Sequence, residues 1–120
     1  MNFYTQLTYA KPSFLFSYKN PILLIGSCFV ENIGTRMTDL KFQTDVNPFG
    51  TLYNPASISH ALRRLIQAEL YQEKDLFVSG GLFHSFDHHS RFSALTAEAC
   101  LNQINTRLES STRFLRQCQR

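Results

Sequence analysis

Apolar positions change their period along the chain, and those changes mark out its elements. Ile22, Leu23, Leu24 and Ile25 form a run with no polar face, which suits a parallel strand covered on both sides and predicts a central strand at 22–25. From Cys28 onward the period becomes helical. Phe29, Ile33, Met37 and Leu40 fall on one face, with Glu31, Asn32, Arg36 and Asp39 opposite, predicting a helix over 28–40. A short semi-apolar stretch at 42–46 predicts a second parallel strand, closed by the turn sequence Asn47-Pro48-Phe49-Gly50. Asn54 followed by Pro55 is a helix start, because Asn caps free N–H groups and Pro needs none at the first helical position. Ile58, Ala61, Leu62, Leu65 and Ile66 then keep helical spacing through 55–68. Two short strands around Ser79-Gly80-Gly81 predict a hairpin at 76–85, and His84 to Ser93 is polar enough to read as loop. Ala97, Leu101, Ile104, Leu108 and Leu115 mark a last amphipathic helix over 96–117. Before all of these, residues 3–8 alternate loosely as an edge strand, interrupted by Pro12.

The order strand, helix, strand, helix points to an α/β domain, and 120 residues are enough for one core. A net charge of +3 with scattered basic residues gives no nucleic-acid stripe. No apolar run approaches the length of a membrane span, and the N-terminus lacks the charged and apolar regions of a signal peptide. Three cysteines without CxxC spacing indicate neither a zinc ribbon nor a disulfide framework, and suit a reduced, cytoplasmic compartment. Neither a metal nor an organic cofactor is expected. His84 and His88 stand four apart, but the residues between them do not read as helix and complete no ligand set. They are read, with His89, as loop histidines that shape a pocket, His84 being the one to line a site near Ser27.

The chemistry centres on Gly26-Ser27-Cys28, where the apolar strand hands over to a helix. In open α/β sheets such a turn faces ligands, beside N–H groups that stabilise an anion. Two readings of Ser27 stand side by side: helix N-cap and nucleophile, with the Cys28 amide contributing to an oxyanion site. Cys28 itself reads as a small buried hydrophobe. The G-x-S-x-G elbow is absent, since Ile25 and Phe29 occupy its glycine positions.

Three blocks, GSCFVENIG (26–34), NPFGTLYNPASI (47–58) and GLFHSFDHHSRFS (81–93), resemble in that order the N-terminal part of GSCFA-domain proteins, which are similar to the SGNH/GDSL hydrolases. Val30 stands where the family motif has Ala. The resemblance implies a three-layer, flavodoxin- or SGNH-like fold with a parallel central sheet, of which residues 1–120 form a single, partial domain. It implies that Ser27 is the nucleophile, that the Gly50 N–H joins the oxyanion site, and that an Asn and an Asp/His pair complete the machinery. Asn47 and Asn54 lie beside the second turn, and no Asp-x-x-His element follows Cys118. The expected function is therefore the nucleophile-bearing portion of an ester hydrolase acting on a small-molecule or glycan ester, inactive alone. The competing expectation is a non-catalytic interaction module that needs a C-terminal partner segment or self-associates through an open sheet edge.

Overall fold

The computed structural model describes residues 3–118. In chain order its elements are β1 (Ile22–Leu24), α1 (Cys28–Asp39), β2 (Thr44–Val46), α2 (Pro55–Gln67), β3 (Leu76–Ser79), β4 (Leu82–Ser85) and α3 (Ala97–Cys118), with 3-10 turns at Glu73–Asp75 and Ser90–Phe92. Among the described residues the strands make two small sheets, β1 parallel to β2 and β3 antiparallel to β4. The protein is thus a mixed α/β fold with three helices around a two-stranded parallel sheet.

The parallel register pairs Ile22 with Thr44, Leu23 with Asp45 and Leu24 with Val46. Successive side chains alternate faces, so Thr44 and Val46 share one face and Leu23 and Asp45 the other. α1 lies on the first face. A Cβ added to Gly34 would stand 2.6 Å from Val46 Cγ2, so only glycine lets the helix approach this closely, and the Thr38 and Thr44 hydroxyls meet at 2.6 Å. α3 serves the second face. The Arg107 guanidinium pairs with the buried Asp45 carboxylate, donates to Val46 O at 3.1 Å and reaches Ser111 Oγ at 2.5 Å. The main core forms between α2, α3 and the turn after β2, from Phe49, Leu52, Ala61, Leu65, Tyr71, Ile104 and Leu108, with Leu23 and Ile25 packed against it.

Several boundaries differ from the sequence reading, each for a local reason. β2 begins at Thr44 because Phe42 is drawn into the end of α1: Lys41 takes φ 70°, its N–H donates to Thr38 O at 2.9 Å, and the Phe42 N–H donates to Met37 O at 3.0 Å. This is a Schellman closure with Lys where Gly is usual. The predicted edge strand at 3–8 does not form. Residues 3–18 are exposed, Phe3 by 90%, with no strand pairing there; the contacts of this segment with the body run through Tyr18, stacked on Phe42 at 4.3 Å, and Phe16. The radius of gyration, 17.5 Å, accordingly exceeds the ~13.6 Å of a compact chain of this length. β1 is half-buried and paired along one edge, whereas its sequence predicts cover on both. The apolar stripe of α1 is also open, with Phe29 70% and Leu40 61% exposed. The hairpin matches its prediction, because Gly80 and Gly81 both take the positive φ of a tight turn.

Two stability changes follow. Arg107→Ala should cost about 2–3 kcal/mol in urea unfolding, because it strands Asp45, whose Oδ2 already has no hydrogen-bond partner among the described residues. Asp45→Asn in that background should recover part of the loss. Lys41→Gly should raise stability by about 0.5–1 kcal/mol by relieving the left-handed backbone.

Candidate functional site

Ser27 sits where β1 gives way to α1. Its backbone is extended, its Oγ accepts the Phe29 N–H at 3.3 Å, and it is the N-cap of the helix. That bond uses an oxygen lone pair and leaves the hydroxyl proton free, so capping and nucleophilic use are chemically compatible. Cys28 opens the first turn of α1, whose N–H groups have no intrahelical acceptor. Its side chain is exposed, which corrects the reading of Cys28 as a buried small hydrophobe: the helical stripe that was expected to bury it faces outward.

The turn is held from the second block. Asn47 is fully buried with φ 46°, a left-handed position that Asn tolerates. Its Oδ1 accepts the Gly26 N–H at 2.8 Å and its Nδ2 donates to Glu31 Oε2 at 3.2 Å. Its own N–H extends the parallel ladder to Leu24 O, and its carbonyl receives the Gly50 N–H at 2.9 Å and Arg91 Nη2 at 3.2 Å. Arg91 Nη1 in turn donates to Glu31 Oε1 at 3.2 Å, so both carboxylate oxygens of Glu31 are engaged. Gly50 takes φ 81°, and a Cβ there would fall 2.3 Å from His89 Cβ. The His89 N–H donates to Phe49 O at 2.9 Å. The three sequence blocks therefore converge on one place.

A cleft of about 370 Å³ opens beside this junction. Cys28, Glu31 and Asn32 form its α1 wall, Thr51 and Tyr53 a second, and His89 and Arg91 a third. Of the residues singled out from sequence, Ser27 and Cys28 lie at or next to the cleft. Gly50 supports it from behind, with its N–H donated inside the turn. Asn54 caps α2 by accepting the Ser57 N–H at 2.8 Å and is not part of the lining. His84 is held in the hairpin, with Nδ1 2.6 Å from Ser93 Oγ and Nε2 2.9 Å from Ser79 O, and does not line the cleft. His88 turns inward, Nδ1 2.9 Å from Ser85 Oγ and its ring 4.7 Å from Phe49, 4.9 Å from Tyr71 and 5.2 Å from Phe92. The histidine that does reach the cleft is His89. Three histidines within six residues pointed to the segment, but the sequence reading chose His84, and the fold corrects this because His84 is tied into the hairpin by Ser93 and Ser79 O.

Burial decides the protonation of the inward cluster. Desolvation lowers the His88 pKa to about 4, with the Arg64 charge adding to it and the Asp87 carboxylate opposing it. Desolvation raises the Tyr71 phenol well above its ordinary range; Arg64, whose guanidinium lies 3.9 Å over the ring, opposes that rise and Asp87 reinforces it. Asp87 Oδ2 accepts from Tyr71 Oη at 2.8 Å and lies 2.9 Å from His60 Nε2, tying the loop to α2. Among the described residues no group of three or more His, Cys, Asp or Glu is placed to hold a metal, and no helix is long and apolar enough to cross a membrane.

Comparison with known families finds a match to the model of the GSCFA family over residues 21–120. No curated protein and no solved structure matches the chain.

His88 is protonated near pH 6.5 when unfolded but only near 4 when folded, so the unfolded state binds more protons between those values. Stability should fall as pH drops from about 6.5 toward 4, by up to about 3 kcal/mol, and level off below; His88→Gln should flatten that dependence in chemical denaturation at several pH values. Gly50→Ala should cost at least about 2 kcal/mol, from strained backbone and from the displaced His89. In the native state Ellman's reagent should label Cys28 rapidly and leave Cys100 protected.

Proposed function

The chain belongs to the GSCFA family, and we propose that within it Ser27 is the nucleophile of an SGNH-like ester hydrolase acting on an acylated, glycan-type substrate. The observation that carries the reading is the placement of Ser27 between the C-terminal end of a parallel strand and the first turn of a helix, next to a cleft. In the three-layer arrangement this reading implies, the sheet continues past β1, whose second edge is unpaired among the described residues.

Attack by Ser27 Oγ on the acyl carbon transfers the hydroxyl proton to a base, and the helix N–H groups at Cys28 and beyond receive the developing oxyanion. Collapse expels the alcohol, which takes a proton from the same base, and water then hydrolyses the acyl-enzyme. The cleft wall suits an uncharged, hydroxyl-rich alcohol: the Glu31 and Arg91 charges neutralise each other, while Asn32, Thr51 and the 72% exposed Tyr53 ring remain to meet it. His84 and His88 are both engaged elsewhere, so neither serves as the base in this reading.

A second reading is favoured by one observation, the open apolar surface of residues 3–18, of the α1 stripe and along the edge of β1 that is unpaired among the described residues. In it the chain is an interaction module completed by a partner segment or by a second copy. Sedimentation at rising concentration distinguishes the two, since a module that pairs with itself shifts to dimer.

In a chain that carries the base, Ser27→Ala should abolish hydrolysis of 4-nitrophenyl esters while lowering stability by only about 0.5–2 kcal/mol, the worth of a cap. Retained activity would sink the nucleophile assignment. Cys28→Ala should leave turnover mostly intact. The 120-residue chain alone should show no turnover above its Ser27→Ala control.

A further inference from the structure

We propose that His89 acts as a fixed hydrogen-bond donor, presenting Nε2–H to an oxygen acceptor of the molecule that fills the cleft, and is not the missing base. The assignment rests on the hydrolase reading only in naming that acceptor as an acyl oxygen.

The tautomer follows from the cap. His89 Nδ1 accepts the Arg91 N–H at 3.1 Å and starts the 3-10 turn at Ser90–Phe92. A ring nitrogen that accepts carries no proton, and a neutral imidazole has only one, so that proton is on Nε2. Nε2 has no hydrogen-bond partner among the described residues, and His89 lines the cleft with Cys28. A base needs the opposite arrangement, a bare nitrogen facing the hydroxyl it deprotonates.

The ring is also held in place. Its backbone N–H is tied to Phe49 O, its Cβ rests in the space that Gly50 leaves by lacking a side chain, and Arg91 is anchored to Glu31 and to Asn47 O. Holding a donor in position before the ligand arrives is what makes a hydrogen bond effective on a developing negative oxygen, because little reorganisation follows. The same contacts give the second block a role: Gly50 seats the donor, while its own N–H stays within the turn.

Two substitutions separate the halves of the ring. Asparagine places an acceptor near the Nδ1 position and is a good cap, but has nothing at Nε2; glutamine places an NH₂ near Nε2 and loses the cap. Ring ¹⁵N spectra of the 120-residue chain should show His89 as the Nε2–H tautomer, and titration with butyrate should move that N–H proton downfield. Butyrate should perturb the cleft amides in His89→Gln and no longer do so in His89→Asn, although the latter unfolds closer to wild type. In a chain that carries the base, kcat for 4-nitrophenyl butyrate should fall about 10²–10³-fold in His89→Asn and less than about tenfold in His89→Gln. An Nδ1–H tautomer, or butyrate binding retained in His89→Asn and lost in His89→Gln, would overturn the proposal. Ser27→Ala keeps the tautomer and the butyrate response, so turnover that survives Ser27→Ala refutes the nucleophile assignment while the spectra still decide the role of His89.

Discussion

The arrangement depends on a buried asparagine. Asn47 leaves the parallel ladder after β2, turns into left-handed backbone and sends its side chain back to the turn that follows β1. An amide buried without partners costs several kcal/mol, so a fully buried Asn persists only where its oxygen and nitrogen are both matched. Gly26 N–H and Glu31 supply the match, and the backbone carbonyl of Asn47 collects Gly50 and Arg91. One residue therefore fixes the relative positions of the strand–helix turn, the second turn and the histidine segment, which is why the cleft forms there.

A second polar contact sets the other side of the sheet. Asp45 would be an anomaly in a small buried strand, and Arg107 on α3 resolves it by pairing with the carboxylate and the neighbouring carbonyl. A buried ion pair adds little net stability over an apolar pair, but it tolerates no other register, because a slip leaves a charge without a partner. Apolar packing supplies the rest: Phe49, Leu65, Ile104 and Leu108 bury almost completely between α2, α3 and the second turn. The stability of the chain is thus concentrated beneath the cleft, while α1 and residues 3–18 keep apolar surface open.

The four histidines show how environment divides one residue type among several tasks. His84 braces the hairpin, His60 ties α2 to Asp87, and His88 is sealed among aromatic rings in its neutral form. His89, one position further along, has its ring turned to the cleft because its backbone bonds to Phe49 O and Gly50 leaves room for its Cβ.

Local pattern was enough to specify the helices, the tight hairpin and the strand–turn–helix at Ser27, because period, caps and glycine pairs act over a few residues. Asn54-Pro55 started α2 where expected, and Gly80-Gly81 set the hairpin. The sequence also marked Ser27 as both a cap and a candidate nucleophile. It did not show that Cys28 faces outward, that Lys41 would draw Phe42 out of the second strand, or that residues 3–8 would find no strand to pair with, since each depends on what lies across space. Among the three neighbouring histidines it favoured His84 for the site near Ser27, where the fold places His89. Spacing places all three in one short segment, and only the tertiary contacts, with Asn47 drawing Gly26, Glu31 and Arg91 together, decide which ring is buried and which meets the cleft.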